Sequence, residues 1–256
     1  MYKYNYVMSD SKRAQTYKSL FLDKIPSNWI RDEEEYDYLF VIGGDGTLFR
    51  RSVYFMHKSC KVILINGGSF GFFSSFNEKN IGTIFDKVLI DENYIHPQII
   101  EIIINKKSYF AINDIYMISY KNSKVDVKIN ETYYETFKGT GFLFSTPLGS
   151  SAYNKSAGGA VIIDNIDCFQ MVEIHPVRQV DFNTLGSPII LSCDSKITLN
   201  ILDCINDYHV IVDGTKINSV ENSQLTIKSN LGKFMLYNPN NKKINKIRNA
   251  FIKKEY

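Results

Sequence analysis

Tyr38-Leu39-Phe40-Val41-Ile42-Gly43-Gly44-Asp45-Gly46-Thr47-Leu48-Phe49-Arg50 runs from an unbroken apolar stretch straight into a glycine-rich turn. A short continuous apolar run is the mark of a strand buried on both faces, as in parallel sheets covered by helices. A second such run, Val62-Ile63-Leu64-Ile65, also ends close to glycines. After it, Ile81, Ile84, Phe85, Val88 and Leu89 recur at the spacing of one apolar helix face. Together these segments predict an α/β domain with a parallel sheet.

From about residue 98 the period changes. Short runs rich in Ile, Val, Tyr and Phe occupy residues 99–104, 109–112, 115–120, 125–129, 189–191, 197–202, 209–212, 224–227 and 234–237. With Asn, Gly, Ser and Asp between them, they predict an antiparallel β-sandwich. The expected organisation is an α/β domain over residues 1–97 and a β-sandwich domain over 98–240. Residues 241–256 carry Ile244, Ile247, Phe251 and Ile252 among basic residues, which predicts a terminal helix packing back on the first domain, with a phosphate-attracting tail as the alternative.

The 256 residues are 44% hydrophobic and 22% charged, which excludes a disordered or collagen-like chain. A net charge of +3 gives no electrostatic case for a nucleic-acid binder. No apolar run approaches the roughly 18 residues of a membrane span. The start, MYKYNYVMSDSKR, lacks the apolar core of a secretory signal, so a cytoplasmic protein with no membrane partner is expected. Cys60, Cys168, Cys193 and Cys204 lie far apart with no Cys-x-x-Cys pair, which argues against a disulfide framework and against a zinc site.

The chemistry begins at the first glycine turn. A parallel strand delivers the chain to the crevice at its carboxyl end, where ligands of α/β sheets bind. Gly43, Gly44 and Gly46 remove side chains there, so the backbone can approach a ligand and take φ > 0 where needed. Thr47 can cap the following helix, whose amides and dipole favour an anion such as phosphate. Asp45 is then an anion among groups arranged for anions. That position suits a carboxylate that takes a proton from a hydroxyl nucleophile, one that holds magnesium against phosphate charge, or a plain helix cap in a tight turn. Neither G-x-x-x-x-G-K-[ST] nor G-x-G-x-x-G after a strand is present, which disfavours Walker-type NTPases and Rossmann dehydrogenases. Asn66-Gly67-Gly68-Ser69-Phe70-Gly71-Phe72 follows the next strand and sets a second small-residue loop beside the first.

Farther along, Phe137-Lys138-Gly139-Thr140-Gly141 leads to Ser145-Thr146-Pro147-Leu148-Gly149-Ser150-Ser151-Ala152-Tyr153-Asn154-Lys155-Ser156-Ala157-Gly158-Gly159. Hydroxyls and backbone donors are concentrated here with an aromatic ring and no carboxylate, a composition suited to a ligand bearing phosphate or ribose. A Ser/Gly stretch of this length inside a compact domain is usually functional.

The glycine-aspartate loop, Asn113-Asp114, the Ser145 to Gly159 segment and Gly186-Ser187-Pro188 together resemble the NAD kinases, in the same order and at similar spacing over roughly residues 36–215. The first loop has relatives in lipid kinases and 6-phosphofructokinases. The Ser-Thr-Pro-x-Gly-Ser-x-Ala-Tyr-x-x-Ser-x-Gly-Gly segment is what discriminates. The resemblance implies an α/β domain, a β-sandwich domain and an active site in the crevice between them. It implies phosphorylation of the 2′-hydroxyl of the adenosine ribose of NAD, with ATP or polyphosphate as donor and a divalent ion such as magnesium. Asp45 is then the proton acceptor, with the Gly43 to Thr47 backbone at the phosphates. Gly46 and Arg50 contact the dinucleotide and Asn113, next to Asp114, serves the adenine side. Ser151, Ala152, Tyr153 and Ser156 line the adenine and ribose pocket, with Asn154 and Lys155 in the same segment. His175 lies where the family's chain passes the ligand, and Lys138 and Arg50 either meet phosphates or stay solvated. The resemblance also implies a homodimer or homotetramer.

Two departures stand out. The family usually has Asn-Glu where this chain has Asn113-Asp114, and Gly-Asp-Gly where it has Gly139-Thr140-Gly141. A Thr hydroxyl offers one donor and two acceptor lone pairs without charge, which bears on the nicotinamide end and on the choice between NAD and NADH. The rival readings are a lipid or sphingoid kinase, which wants an apolar pocket in place of the Ser-rich segment, and a non-catalytic NAD(P) sensor, which tolerates loss of Asp45.

Overall fold

The apolar run that ends at Gly43 forms the strand it predicts, buried along its length, in a computed structural model that describes residues 1–67, 71–90, 92–163, 166–177, 184–217, 223–238 and 243–252. In chain order the elements begin with β1 Tyr2–Met8, α1 Lys12–Leu22, β2 Trp29–Arg31, β3 Tyr38–Gly43, α2 Asp45–Arg50, β4 Lys61–Asn66, α3 Ile84–Ile90 and β5 Tyr94–Ile95. There follow β6 Gln98–Ile104, β7 Lys107–Ala111, β8 Asp114–Ile129, β9 Thr132–Ser145, α4 Tyr153–Ser156, β10 Cys168–Ile174 and β11 Ile189–Ser192. β12 Lys196–Ile201, β13 Tyr208–Val212, β14 Thr215–Ile217, β15 Gln224–Leu231, β16 Met235–Tyr237 and α5 Lys243–Ile247 come last. The chain divides into two compact units, Met1–Pro97 with Gly232–Tyr256, and Gln98–Leu231.

The first unit holds a sheet in the order β2-β1-β3-β4-β16-β5. All its pairings are parallel except that of β16 with β5. β3 and β4 have no polar face because both of their sides are buried, the physical reason for their unbroken apolar runs. One core gathers Phe40 and Ile42 of β3, Ile63 and Ile65 of β4, Ala14, Tyr17 and Phe21 of α1, and Ile84, Phe85 and Val88 of α3. Phe21 stacks on Phe85 with ring centroids 5.5 Å apart. The predicted helix at 81–89 is present as a 3₁₀ turn Ile81–Thr83 running into α3.

The second unit is antiparallel throughout, in the order β11-β10-β9-β8-β12-β15-β6-β7, with β13 pairing β8 and β14. The segments expected at 115–120 and 125–129 are one long strand, β8. Its first half pairs β13 and its second half pairs β12. Between them the register with β9 breaks, Ile118 facing Gly141 and Ser123 facing Gly139. Residues 119–122 thus bulge against Thr140 alone, a device that bends a sheet sharply. At this corner Phe137 and Phe142, on either side of the bend, bring their rings within 4.4 Å. Strands distant in the order then meet in one core that includes Ile102, Val127, Phe144, Phe169, Leu199, Val210 and Ile227.

Two expectations change. The last strand, expected among those of the β-rich domain, lies in the first unit's sheet instead, where Leu236 pairs with Val62. It fills a buried slot between β4 and β5, and its short apolar run does not say which sheet it joins. The terminal segment belongs to the first unit, yet most of the apolar face expected to pack it down is not buried. Ile244, Phe251 and Ile252 are exposed. The α-helical period ends at Ile247, and Arg248–Ile252 forms a π-helical stretch. The wider turn takes Phe251 and Ile252 out of line with Ile244. Residues 241–242 and 253–256 of the expected helix lie outside the described residues.

Candidate active site

β3 ends at Gly43 and the chain turns at once into α2. The cap is Gly44. Thr47, expected to cap this helix, does not. It is buried in the helix, and its amide donates to the Gly44 carbonyl at 2.9 Å. None of Gly43, Gly44 and Gly46 has positive φ, so these glycines provide room and not a left-handed turn. A Cβ at Gly43 would run into the Thr47 side chain, and one at Gly46 would lie 3.1 Å from the Arg50 guanidinium. Arg50 therefore folds back over the first turn of α2. Asp45 opens that turn, and both its oxygens are engaged by the second glycine loop. Oδ2 accepts the Phe72 amide and Oδ1 the Phe73 amide, each at 2.8 Å. The Gly67 amide donates to the Gly43 carbonyl at 3.0 Å, which ties the two loops together. Gly68, Ser69 and Phe70 lie outside the described residues. Lys246 of α5 joins the group. Burial draws its ammonium below the usual lysine range, while the Asp45 charge pulls it back up.

In the second unit the turn between β7 and β8 presents Asn113 and Asp114. Asn113 Nδ2 donates to Asp114 Oδ2 at 2.9 Å, and Asn113 Oδ1 is buried without a partner. Burial, and then the charge of Asp213, push the Asp114 carboxyl up to about 7. Gly149 packs so closely on the Asn113 carbonyl and side chain that no Cβ would fit. Tyr116 and Tyr153 meet edge to face at 5.1 Å. Tyr116, with Ile118 and Ala157, packs half-buried against a small core of Leu143, Val172 and Ile174. Thr140 and His175 also come together: the Thr140 hydroxyl donates to the Ile174 carbonyl at 3.0 Å and lies 3.2 Å from His175 Nδ1. His175 is exposed and sits at φ 47°. A polar turn and two tyrosines anchored on this core can seat a flat base on an aromatic wall with its edge at amide and carboxyl groups.

The ATP-NAD kinase N-terminal domain model matches residues 6–93, and the ATP-NAD kinase C-terminal domain model matches residues 93–234. The chain belongs to the NAD kinase family. It is 34% identical to an NAD kinase of Mycoplasmoides gallisepticum over 220 residues, 84% of this chain and 80% of that one. It is 33% identical to an NAD kinase of Ureaplasma parvum over 232 residues, 89% and 85% of the two chains. Among solved structures, yeast NADH kinase complexed with NADH matches with a TM-score of 0.84 at 19% identity, covering 100% of this chain and 89% of its own. An NAD kinase from Archaeoglobus fulgidus in complex with ATP matches at 0.76 and 20%, covering 97% of each. At those identities the likeness speaks for the fold.

Within this NAD kinase-family chain the residues named from the sequence fall into groups. Gly43, Gly44, Asp45, Gly46, Thr47 and Arg50 share one turn and one helix. Asn113, Asp114, Ser151, Ala152 and Tyr153 belong to the second unit's turn and Ser-rich segment. Thr140 and His175 touch, and the Lys138 carbonyl accepts the Val177 amide at 2.7 Å. Lys155 and Ser156 are exposed on α4. Asn154 faces the other way: it is fully buried, and its Nδ2 holds the Ser150 and Ala160 carbonyls at 3.0 and 3.1 Å. It braces the loop from inside. The sequence reading missed Lys246, Tyr116 and Asp213. Only Asp213 carried a signal, an Asp-Gly pair between two strand-like runs, which marks a hairpin turn.

Proposed function

We propose that this NAD kinase-family chain transfers the γ-phosphate of ATP, or a phosphate of polyphosphate, to the 2′-hydroxyl of the adenosine ribose of NAD, with Asp45 as proton acceptor. The observation that carries the reading is the Asp45 carboxylate. An ionised carboxylate has about four lone-pair sites. The Phe72 and Phe73 amides occupy two, fixing the group's direction and leaving each oxygen able to accept once more. A ribose hydroxyl is hardly ionised at neutral pH, so a base within about 2.6–3.2 Å promotes its attack on phosphorus. The small-residue turn of Gly43, Gly44 and Gly46 lets backbone amides approach phosphate oxygens, and Arg50 adds charge above the same turn. Asn113, Asp114, Tyr153, Ser151 and Ala152 hold the adenosine half. Thr140 and His175 face the nicotinamide half, and Lys138 meets phosphate.

Among the described residues no group of three His, Cys, Asp or Glu side chains can hold a metal ion. The donor set therefore suits magnesium that arrives on substrate phosphates, the usual mode for that ion. Bound there, it neutralises phosphate charge. The chain's own residues orient the hydroxyl, accept its proton and seat the nucleoside. We also place the protein in the cytoplasm as a homodimer or homotetramer. Among the described helices none is long and apolar enough to cross a membrane, and exposed Ile244, Phe251 and Ile252 favour association.

The purified protein with ATP, magnesium and NAD is expected to form NADP, measured by an NADP-specific dehydrogenase assay. Tight NAD binding without turnover, or phosphorylation of a lipid alcohol in its place, would overturn the reading.

A further inference from the structure

We infer that Asp213 is a positioning residue for the dinucleotide: its carboxylate holds the turn that aims Asn113. This inference rests on the proposed role of Asn113 at the adenosine end. Asp213 and Gly214 form the hairpin turn between β13 and β14, with φ of 46° and 77°, and Val212 pairs with Thr215 across it. The left-handed conformation of Asp213 turns its short side chain back toward the start of β8. There Oδ2 accepts the Ile112 amide at 2.9 Å, and Oδ1 accepts the amides of Asn113 and Asp114 at 2.9 and 3.1 Å. The Asp213 amide donates to the Asp114 carbonyl at 3.0 Å, closing the clasp.

The opposite side of the turn is held as firmly. The Thr146 hydroxyl donates to the Ile112 carbonyl at 2.5 Å and the Thr146 amide to the Asn113 carbonyl at 3.1 Å. Three amides go to Asp213 and two carbonyls to Thr146, so the backbone of residues 112–114 keeps little freedom. Asn113 Nδ2 is taken up by Asp114. What remains is Oδ1, a buried acceptor with no partner. Leaving such an atom unpaired is costly, and an N–H group on a ligand base removes the cost. Among the described side chains only an anionic acceptor with two oxygens meets all three amides here. A neutral amide would set its own N–H2 against one of them.

The experiment measures kcat and KM for NAD in Asp213→Asn, Asn113→Ala and the double variant, with thermal melts alongside. Asp213→Asn is expected to raise KM for NAD about tenfold, with kcat at saturating NAD within about threefold of the parent. The double variant should resemble Asn113→Ala alone, because Asp213 acts through Asn113. A merely structural carboxylate would lower the folded fraction, and with it kcat, while KM stayed put, and that result would overturn the inference. So would additive effects in the double variant. If Asn113→Ala itself leaves KM for NAD unchanged, the reading of Asn113 falls, a result distinct from the failure of Asp213. Should Asp213→Asn not fold, Asp213→Ser keeps one acceptor and is expected to raise KM likewise. Failure of both to fold would make Asp213 a folding residue and refute the positioning role.

Discussion

Asp45 and Asp114 are both carboxylates beside polar backbone, yet their surroundings push them toward different work. Asp45 faces amide donors on both oxygens. Replacing it with Asn keeps the shape, removes the base and turns one amide bond into a donor–donor contact. Asp45→Asn is expected to lower kcat by about 10²–10⁴ with NAD affinity nearly kept. Steady-state rates and calorimetric titration with NAD check this, and near-normal turnover in the folded variant would remove Asp45 from the chemistry. Asp114 is instead buried, and burial and the Asp213 charge push it up to about 7. Burial also pushes Asp213 up, to about 6, against the pull of its three amides. An unfolded Asp loses its proton near about pH 4. Between that pH and about 7 the folded chain therefore keeps a proton that the unfolded chain releases, so this contribution to stability declines as pH rises through the window. Asp114→Asn removes the titration. Urea melts at about pH 5 and about pH 8 should show a smaller drop in the variant than in the parent, and equal drops would refute the assignment.

Elements that read clearly from the sequence are those whose period is unbroken. β3 and β4 are buried on both faces and stand out as apolar runs, and α3 shows one apolar stripe. β9 was legible only as a glycine and hydroxyl segment, because Lys138, Gly139 and Gly141 interrupt its alternation. Those interruptions are the corner of the sheet. Gly141 has φ 155°, and a Cβ there would overlap the Met117 carbonyl oxygen across the pair of strands. β1 was missed for a different reason: its core face is made of Tyr2, Tyr4 and Tyr6, which alternate as a strand requires but look like a polar start. The corner makes a prediction of its own. Gly141→Ala is expected to destabilise the protein by at least about 1–3 kcal/mol, because the bend cannot shift without breaking the β8–β9 pairing. Denaturant unfolding measures it, and a loss under about 0.5 kcal/mol, the range of an ordinary surface change, would mean that the corner relaxes freely.

At the scale of the whole molecule, the chain leaves its first unit after Pro97 and returns to it 134 residues later, at Gly232. Such a return cannot be read from local pattern, since three residues, Met235-Leu236-Tyr237, suit either sheet. It also explains why Lys246 escaped notice, because only the return of β16 brings the terminal helix toward the Asp45 loop. The energetic consequence is specific. Leu236 and Tyr237 are each 1% exposed, and the Tyr237 ring stacks on Phe76 at 5.5 Å. Emptying two such sites costs roughly 2–5 kcal/mol each. Their sum is comparable with the roughly 5–15 kcal/mol that holds a domain folded. Ending the chain at Leu231 also strips β5 of its partner, because β5 pairs only with β16 among the described strands. That truncation is expected to leave the first unit unfolded, seen as rapid proteolysis of residues 1–97. A chain ending at Asn238 keeps β16 and loses α5, in which no residue is fully buried although Lys246 is drawn in beside Asp45. It is expected to melt within a few degrees of the full chain, since changes away from buried contacts usually fall within about 0.5 kcal/mol. A protease-resistant first unit in the shorter truncation would show that β16 is dispensable and that the sheet is complete without it.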